Sequence, residues 1–189
     1  MRKRMRGSVF TNFQEMVEAQ FGMACWETLL ANCDLPSGGI YTASENYDDQ
    51  EILSLVVALS DETNIPVNQL VEAFGRYLYK GLMHSLPPSM RDYPDLWTLL
   101  EAVDSVIHVE VHKLYPDAVT PKLIVQEKFD TGVKLYYQSP RKMCLLAIGL
   151  VHQAAESFGM SVSITHECCM HEGADHCLLL VEQEQVKQD

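Results

Sequence analysis

The chain has 189 residues, of which 47% are hydrophobic and 21% are charged, a composition typical of an ordered globular protein. Its formal net charge of −12 argues against a nucleic-acid partner, because binding to phosphates requires a basic face. No apolar stretch approaches the ~20 residues of a membrane span, so we expect no membrane insertion. Six cysteines without a secretion signal indicate reduced thiols and a cytoplasmic location.

The first five residues, MRKRM, are basic. No uninterrupted apolar core with a cleavage site follows them, so we do not expect a signal peptide. Met5 is as good a start as Met1, and the four residues before Met5 would then form an unstructured overhang.

Helical patterns occupy the first two thirds of the sequence, where apolar residues recur at spacings of three and four. Gly22 ends the first predicted helix, Asp48 or Asp49 caps the third, and Pro87-Pro88 separates the fourth from the fifth. The predicted helices run from Val9 to Phe21, through Trp26 to Leu30, from the aspartate cap to Leu59, from 64–68 to Leu82, and over Tyr93–Leu114.

The last third has the pattern of strands around one helix. A hairpin is predicted over 123–137 with its turn at 130–132, followed by a helix over about 141–158. Two further strands, 161–165 and 177–182, flank a connection rich in cysteine and histidine. The expected fold class is α+β, in which a helical N-terminal part precedes an antiparallel four-stranded sheet with packed helices.

No repeat, low-complexity tract or linker divides the chain. We therefore expect a single domain over 1–189. Within it we expect a helical subdomain at about 5–65 and a second subdomain, which contains the sheet, at about 66–185.

A single histidine, His108, lies within the apolar stripe of the predicted helix over 93–114. Such a histidine is most often a core residue that is hydrogen-bonded to a neighbour. His112 follows one helical turn later, so the two could instead bind a divalent metal. A third interpretation is that His108 is the only protein ligand of a large bound group.

Three polar side chains lie at the end of the second strand of the hairpin and just beyond it. On a strand, Tyr137 and Ser139 point the same way, and Arg141 follows Pro140, which ends the strand. Two hydroxyl groups and a guanidinium suit a dianionic ligand, because arginine pairs bidentately with carboxylates. The simpler interpretation is ordinary strand polarity followed by an arginine at the start of a helix.

The segment from His166 to Cys177 contains the densest set of metal-ligand side chains. His166, Cys169 and Cys177, joined by the remote Cys144, form a plausible tetrahedral zinc site. The alternative is a set of reduced cysteines, with one disulfide under oxidation. A straight strand would place Cys168 on the face of His166, so this zinc site requires a turn after His166.

Together these segments resemble the H-NOX family, the haem–nitric oxide/oxygen-binding domains related to the sensor part of soluble guanylate cyclase. The resemblance covers nearly the whole chain. It is based on Tyr137-x-Ser139-x-Arg141, which comes 29 residues after His108, and on the sequences IHVEV, KLYP and GSVF. It implies haem b between the two parts, with His108 as the iron ligand and Tyr137, Ser139 and Arg141 on the propionates. His112 would then face outward.

The resemblance also implies the other walls of the haem pocket. The implied pocket residues are Pro121, which would press on the porphyrin, and Val9, Phe13, Leu78, Leu82 and Leu146. Family members that hold oxygen stably place a tyrosine at the position of Leu146, with supporting polar groups at those of Leu78 and Phe13. Losing such a hydrogen bond would cost roughly 10–150-fold in O₂ affinity, so we expect selectivity for NO.

The family implies a nitric oxide sensor rather than an enzyme. NO would release His108 from the iron and free its helix, and a separate partner would detect the change. Stand-alone bacterial relatives signal to a histidine kinase or a cyclic-di-GMP enzyme (a diguanylate cyclase or phosphodiesterase). A subgroup carries zinc on residues that match Cys144, His166, Cys169 and Cys177. The alternatives are a zinc/thiol redox sensor on the same fold and an oxygen-binding haem protein.

Overall fold

The computed structural model of the chain describes residues 4–184. Its helices are α1 (Gly7–Phe21), α2 (Met23–Asn32), α3 (Asp49–Thr63), α4 (Val67–Ser85), α5 (Leu96–Ala102), α6 (His108–Leu114) and α7 (Cys144–Ser157). Its strands are β1 (Arg4–Arg6), β2 (Asn46–Asp48), β3 (Lys122–Phe129), β4 (Gly132–Gln138), β5 (Val162–Cys168) and β6 (Cys177–Gln183). The predicted α+β class is confirmed. Among the described residues, no helix combines the length and apolarity that crossing a bilayer would require.

Local signals explain where the N-terminal helices begin and end. Gly22, with φ of 88°, separates α1 from α2 in a conformation that suits glycine. The Asp48 side chain accepts a hydrogen bond from the Gln50 backbone N–H, so Asp48 rather than Asp49 is the N-cap of α3. Asn64, in the left-handed conformation, ends α3.

The helix that contains His108 differs from the prediction in two ways. It begins at Leu96 rather than at Tyr93, because Pro94 disfavours helical geometry at Tyr93 and the Asp95 side chain caps the Thr98 N–H. A π-helical turn over Val103–Ile107 joins α5 to α6. A 3.6-residue apolar pattern does not reveal such a turn.

The four-stranded sheet is antiparallel throughout, in the order β3-β4-β6-β5. The predicted hairpin is formed by β3 and β4. The predicted helix over 141–158 begins later, at Cys144, because Lys142 adopts a positive φ of 52°. The strand predicted over 161–165 continues to Cys168.

Two further strands were not predicted. β1 pairs with β2, and Arg4 lies opposite Asp48. The expected overhang before Met5 is therefore wrong for Arg4, whose backbone is held in this pair, while residues 1–3 lie outside the described part of the chain. The strands were missed because each has only three residues.

Within residues 4–184, two buried clusters form the core. One lies among the N-terminal helices around Phe10, Phe13 and Phe74, and the other lies between the sheet, α5 and α7. Helices α4 and α7 cross where Gly75 faces Gly149. A Cβ atom on Gly75 would collide with the Leu146 carbonyl oxygen, and one on Gly149 would collide with that of Glu72. The backbones of the two helices are therefore in direct contact.

Candidate functional site

A cavity of about 340 Å³ lies between the N-terminal helices, the His108 helix and the sheet. Its lining includes most of the pocket residues named from the sequence: His108, Pro121, Tyr137, Ser139, Arg141, Val9, Leu78, Leu82 and Leu146. Phe13 does not line the cavity. Its ring is fully buried and packs edge-on against Phe74, with the ring centroids 5.1 Å apart. Phe13 therefore supports the N-terminal cluster instead of forming the wall.

His108 is the first residue of α6, and its side chain is 16% exposed. Among the described residues that line the cavity, it alone carries an imidazole. Burial lowers the pKa of His108 below its ordinary value, and the hydrogen bond to Asp104 opposes this shift. The Nδ1 atom lies 3.3 Å from Asp104 Oδ1. The other ring nitrogen, Nε2, remains available to bind a metal.

A polar part of the cavity wall lies at the end of β4 and just beyond it. Tyr137 and Ser139 are 2% and 4% exposed, and the Ser139 hydroxyl oxygen accepts a hydrogen bond from the Arg141 backbone N–H at 3.2 Å. Burial raises the pKa of Tyr137 to about 12, so its hydroxyl keeps its proton near neutral pH. Arg141 lies on the same wall. This group therefore offers hydroxyls and a guanidinium to an anionic ligand.

Arg141 is held by three contacts that the sequence did not reveal. Its Nε lies 3.1 Å from Oδ2 of the buried Asp49, and its Nη1 donates to the Val119 carbonyl at 2.8 Å. It also donates to the Arg4 carbonyl. Asp49 was considered only as a helix cap. Its role as an ion-pair partner was missed because it lies 92 residues from Arg141 in the sequence.

The remaining walls are largely apolar. Val9, Leu78, Leu82 and Leu146 come from three different helices and offer no hydrogen-bond donor through their side chains. The hydroxyl of Tyr79, another lining residue, lies 3.2 Å from Ser157 Oγ. The cavity thus combines apolar walls, one imidazole with a free nitrogen, and a polar group with a guanidinium. This set of side chains fits haem, which has a flat apolar ring, a metal and two carboxylates.

The cysteine–histidine set forms a second group. One ligand atom from each of Cys144, His166, Cys169 and Cys177 lies within 4.8 Å of the other three. The Cys169 sulfur is 4.0 Å from that of Cys144 and 3.8 Å from that of Cys177. All three thiols are buried, and burial raises the pKa of Cys144 to about 12. Three thiols and an imidazole at this spacing suit a tetrahedral zinc ion.

An irregularity in β5 explains how His166 and Cys169 come together. His166 lies opposite Leu179, whereas Cys168 lies opposite Leu178, so the register shifts between them. This bulge provides the turn that the sequence required after His166. The Cys168 sulfur instead lies 3.7 Å from the His176 carbonyl oxygen. The structure therefore brings Cys169, and not Cys168, to the group.

Comparison with known proteins agrees with this architecture. The model of a family described as haem-NO-binding matches residues 6–166. The H-NOX protein from S. oneidensis, solved in its Fe(II)NO ligation state, is 35% identical, with a TM-score of 0.88 over 96% of this chain and 100% of that chain. The unliganded Fe(II) H-NOX protein from K. algicida is 29% identical, with a TM-score of 0.87 over 98% and 100% of the two chains.

Soluble guanylate cyclase gcy-35 from Caenorhabditis elegans is 26% identical over 157 residues, which are 80% of this chain. The chain spans only 22% of the length of that relative. The family model nevertheless covers well over half of the present chain. The chain therefore belongs to the haem-NO-binding, or H-NOX, family of gas-sensing haem domains related to soluble guanylate cyclase.

Proposed function

We propose that this protein is a haem-based nitric oxide sensor that signals to a separate protein, either a histidine kinase or a cyclic-di-GMP enzyme. The observation that carries the proposal is the apolar cavity in which the imidazole of His108 has a free nitrogen. His108 would hold the iron, and Tyr137, Ser139 and Arg141 would hold the propionates. When bound, haem supplies a ferrous iron that binds a diatomic gas.

The apolar walls support selectivity for nitric oxide. Stable binding of dioxygen depends on a nearby hydrogen-bond donor much more than binding of nitric oxide does. A hydrogen bond to a charged group contributes about 1.5–3 kcal/mol. Leu146, Leu78 and Leu82 offer no such donor, and the hydroxyl of Tyr79 lies beside Ser157. We therefore propose that the protein binds nitric oxide in preference to dioxygen.

The His108 helix would transmit the signal. Ile107 and Val111 line the cavity, whereas Val106 and Val109 are each 44% exposed. This helical stretch thus lines the cavity on one side and presents exposed apolar side chains on the other. Release of His108 would remove an anchor of α6 and shift the population toward a second arrangement of this helix. A partner protein that distinguishes the two arrangements would respond to the gas.

An absorption spectrum of the anaerobic ferrous protein, recorded before and after addition of NO and then in air, tests this proposal. We expect a five-coordinate ferrous spectrum, a five-coordinate spectrum with NO, and no stable spectrum with O₂. His108→Gly should lose the ferrous spectrum of the wild type. The matched control is His112→Gly, since the exposed His112 does not line the cavity and its ring lies 3.0 Å from the Thr120 hydroxyl. A stable O₂ spectrum, or a ferrous spectrum of His108→Gly identical to that of the wild type, would contradict the proposal.

The cysteine–histidine group supports a second candidate function, a zinc-dependent redox sensor on the same fold. We propose that Cys144, His166, Cys169 and Cys177 bind structural zinc, because their ligand atoms lie within 4.8 Å of one another. Oxidation of the thiols would release the ion. Reduced zinc ligands suit a reducing compartment, and we propose a cytoplasmic location.

Zinc content provides the test of this site. The wild-type protein should contain one zinc per chain, and peroxide should release it. Cys169→Ser should lose the zinc, whereas Cys168→Ser should retain it, because Cys168 lies outside the group. Equal zinc content in both variants would show that the ligand set is wrong. Retention of zinc together with unchanged regulation of the partner after peroxide treatment would contradict the redox function.

A further inference from the structure

Asp104 lies four residues before His108, in the π-helical turn that leads into α6. Its Oδ1 atom is 3.3 Å from His108 Nδ1, and the Asp104 side chain is 36% exposed. Segments of π-helix are uncommon and often occur at functional sites. The contact therefore joins a carboxylate to the ring that faces the cavity, through a local irregularity of the helix.

The neighbouring acidic side chains of the same helical stretch have lysine partners. Glu101 lies 3.3 Å from Lys128, and Glu110 lies 2.5 Å from Lys113. Within residues 4–184, Asp104 has no such partner, and its one ion-pair contact is with His108. Asp104 thus differs from these surface acids because it contacts the imidazole of His108 instead of a lysine.

A carboxylate can only accept a hydrogen bond, so the His108 nitrogen beside it must carry the proton. The ring is thereby held in the tautomer whose Nε2 lone pair is free. The negative charge also increases the electron density of the ring, which makes it a stronger metal ligand. We propose that Asp104 is a positioning residue that fixes the tautomer of His108 and strengthens its bond to the haem iron.

This inference rests on the proposed role of His108 as the iron ligand. It adds that the ease with which His108 leaves the iron is set by the charge of Asp104. Loss of that charge should weaken the iron–histidine bond, so that NO displaces His108 more readily. Partners of this kind typically change metal affinity by about 10–100-fold, and we expect faster transfer of haem to an acceptor protein within that range.

Resonance Raman spectroscopy of the haem-loaded ferrous protein tests the inference through the iron–histidine stretching frequency. Asp104→Asn keeps a hydrogen-bond acceptor but loses the charge, and should lower the frequency. Asp104→Ala loses both and should lower the frequency further. Asp104→Glu keeps the charge, so its frequency should lie closer to that of the wild type. Glu101→Gln is the matched control, because Glu101 pairs with Lys128 and does not contact His108.

The outcomes separate the two ideas. A wild-type protein without an iron–histidine band would contradict the proposed function itself. If the wild type shows the band, and neither Asp104→Asn nor Asp104→Ala changes its frequency or the rate of haem transfer, the role of Asp104 is overturned. The proposed sensor function would not be affected by that result. An equal shift in Glu101→Gln would also overturn it, since a general charge effect would then suffice.

Discussion

Arg141 and Asp49 form a buried ion pair between the segment that follows β4 and the start of α3. Their side chains are 10% and 7% exposed, and Nε lies 3.1 Å from Oδ2. The pair joins the polar wall of the cavity to the N-terminal helices. Because both charges are largely removed from water, the loss of either one leaves the other without compensation.

Replacing Asp49 by alanine should therefore destabilise the protein. Breaking a buried pair from one side typically costs about 3–5 kcal/mol, and urea unfolding of the haem-free protein would measure this loss. Asp95→Ala serves as the control, since Asp95 caps α5 through the Thr98 N–H and removing an N-cap costs about 1 kcal/mol. Equal losses in the two variants would show that the ion pair contributes no more than an ordinary helix cap.

The crossing of α4 and α7 predicts a second effect. Gly75→Ala places a methyl group against the Leu146 carbonyl oxygen. Because this oxygen belongs to the backbone of α7, the clash is relieved only if the two helices separate. Forced overpacking of this kind typically costs about 1–3 kcal/mol. Gly81→Ala is the control in α4, because the atoms nearest to its methyl group would belong to the flexible side chain of Asn12 and not to a backbone. We expect thermal unfolding to shift downward for Gly75→Ala by more than for Gly81→Ala.

The apolar wall at Leu146 predicts a gain of function. Leu146→Tyr places a hydroxyl donor in the cavity wall, and we expect O₂ affinity to rise by roughly 10–150-fold. Leu146→Phe adds a ring of similar size without the donor and should leave O₂ binding unchanged. Oxygen titration of the ferrous proteins makes the comparison. An equal rise in O₂ affinity in both variants would show that the size of the ring, and not the hydroxyl donor, causes the change.

A histidine between α4 and α7 predicts a pH dependence of stability. Burial lowers the pKa of His152, and the nearby Arg76 lowers it further, while Glu72, Glu156 and Glu184 oppose the shift. A lowered pKa in the folded state favours the neutral ring, whereas the unfolded chain binds the proton at the ordinary value of 6.5. The stabilising contribution of His152 is therefore complete above pH 6.5 and is lost as the pH falls toward the folded-state pKa.

His152→Gln tests this expectation. As the pH falls below 6.5, the wild type should lose more unfolding free energy than this variant, because glutamine does not bind a proton. Denaturant unfolding at several pH values measures the difference. Parallel pH profiles for the two proteins would show that the protonation of His152 is not coupled to folding.

Local rules explain why much of the fold was accessible from the sequence. Caps such as Asp48 and the turn at Gly22 act through their immediate neighbours, and the hairpin of β3 and β4 follows from alternation and a glycine turn. Strand geometry predicts that Tyr137 and Ser139 point the same way, and the resemblance to the H-NOX family implied their place in the haem pocket. These features depend on short separations along the chain.

Features that depend on distant contacts were not accessible in the same way. The partner of Arg141 lies on a helix 92 residues away, and no local pattern marks it. The apolar side chain of Phe13 is equally compatible with lining the cavity and with lying in the core behind the lining residues. The need for a turn after His166 was evident, but its form as a register shift against β6 depends on the pairing of two strands.

The segment from Tyr137 to Cys144 belongs to both groups of side chains. It begins with the hydroxyls and guanidinium of the cavity wall and ends with the first thiol of the cysteine–histidine group. Occupation of either end restricts the same short piece of backbone. Thermodynamic linkage is reciprocal, so any factor by which zinc changes the affinity for haem equals the factor by which haem changes the affinity for zinc. A zinc-depleted preparation would then misreport the haem affinity of the protein by that same factor.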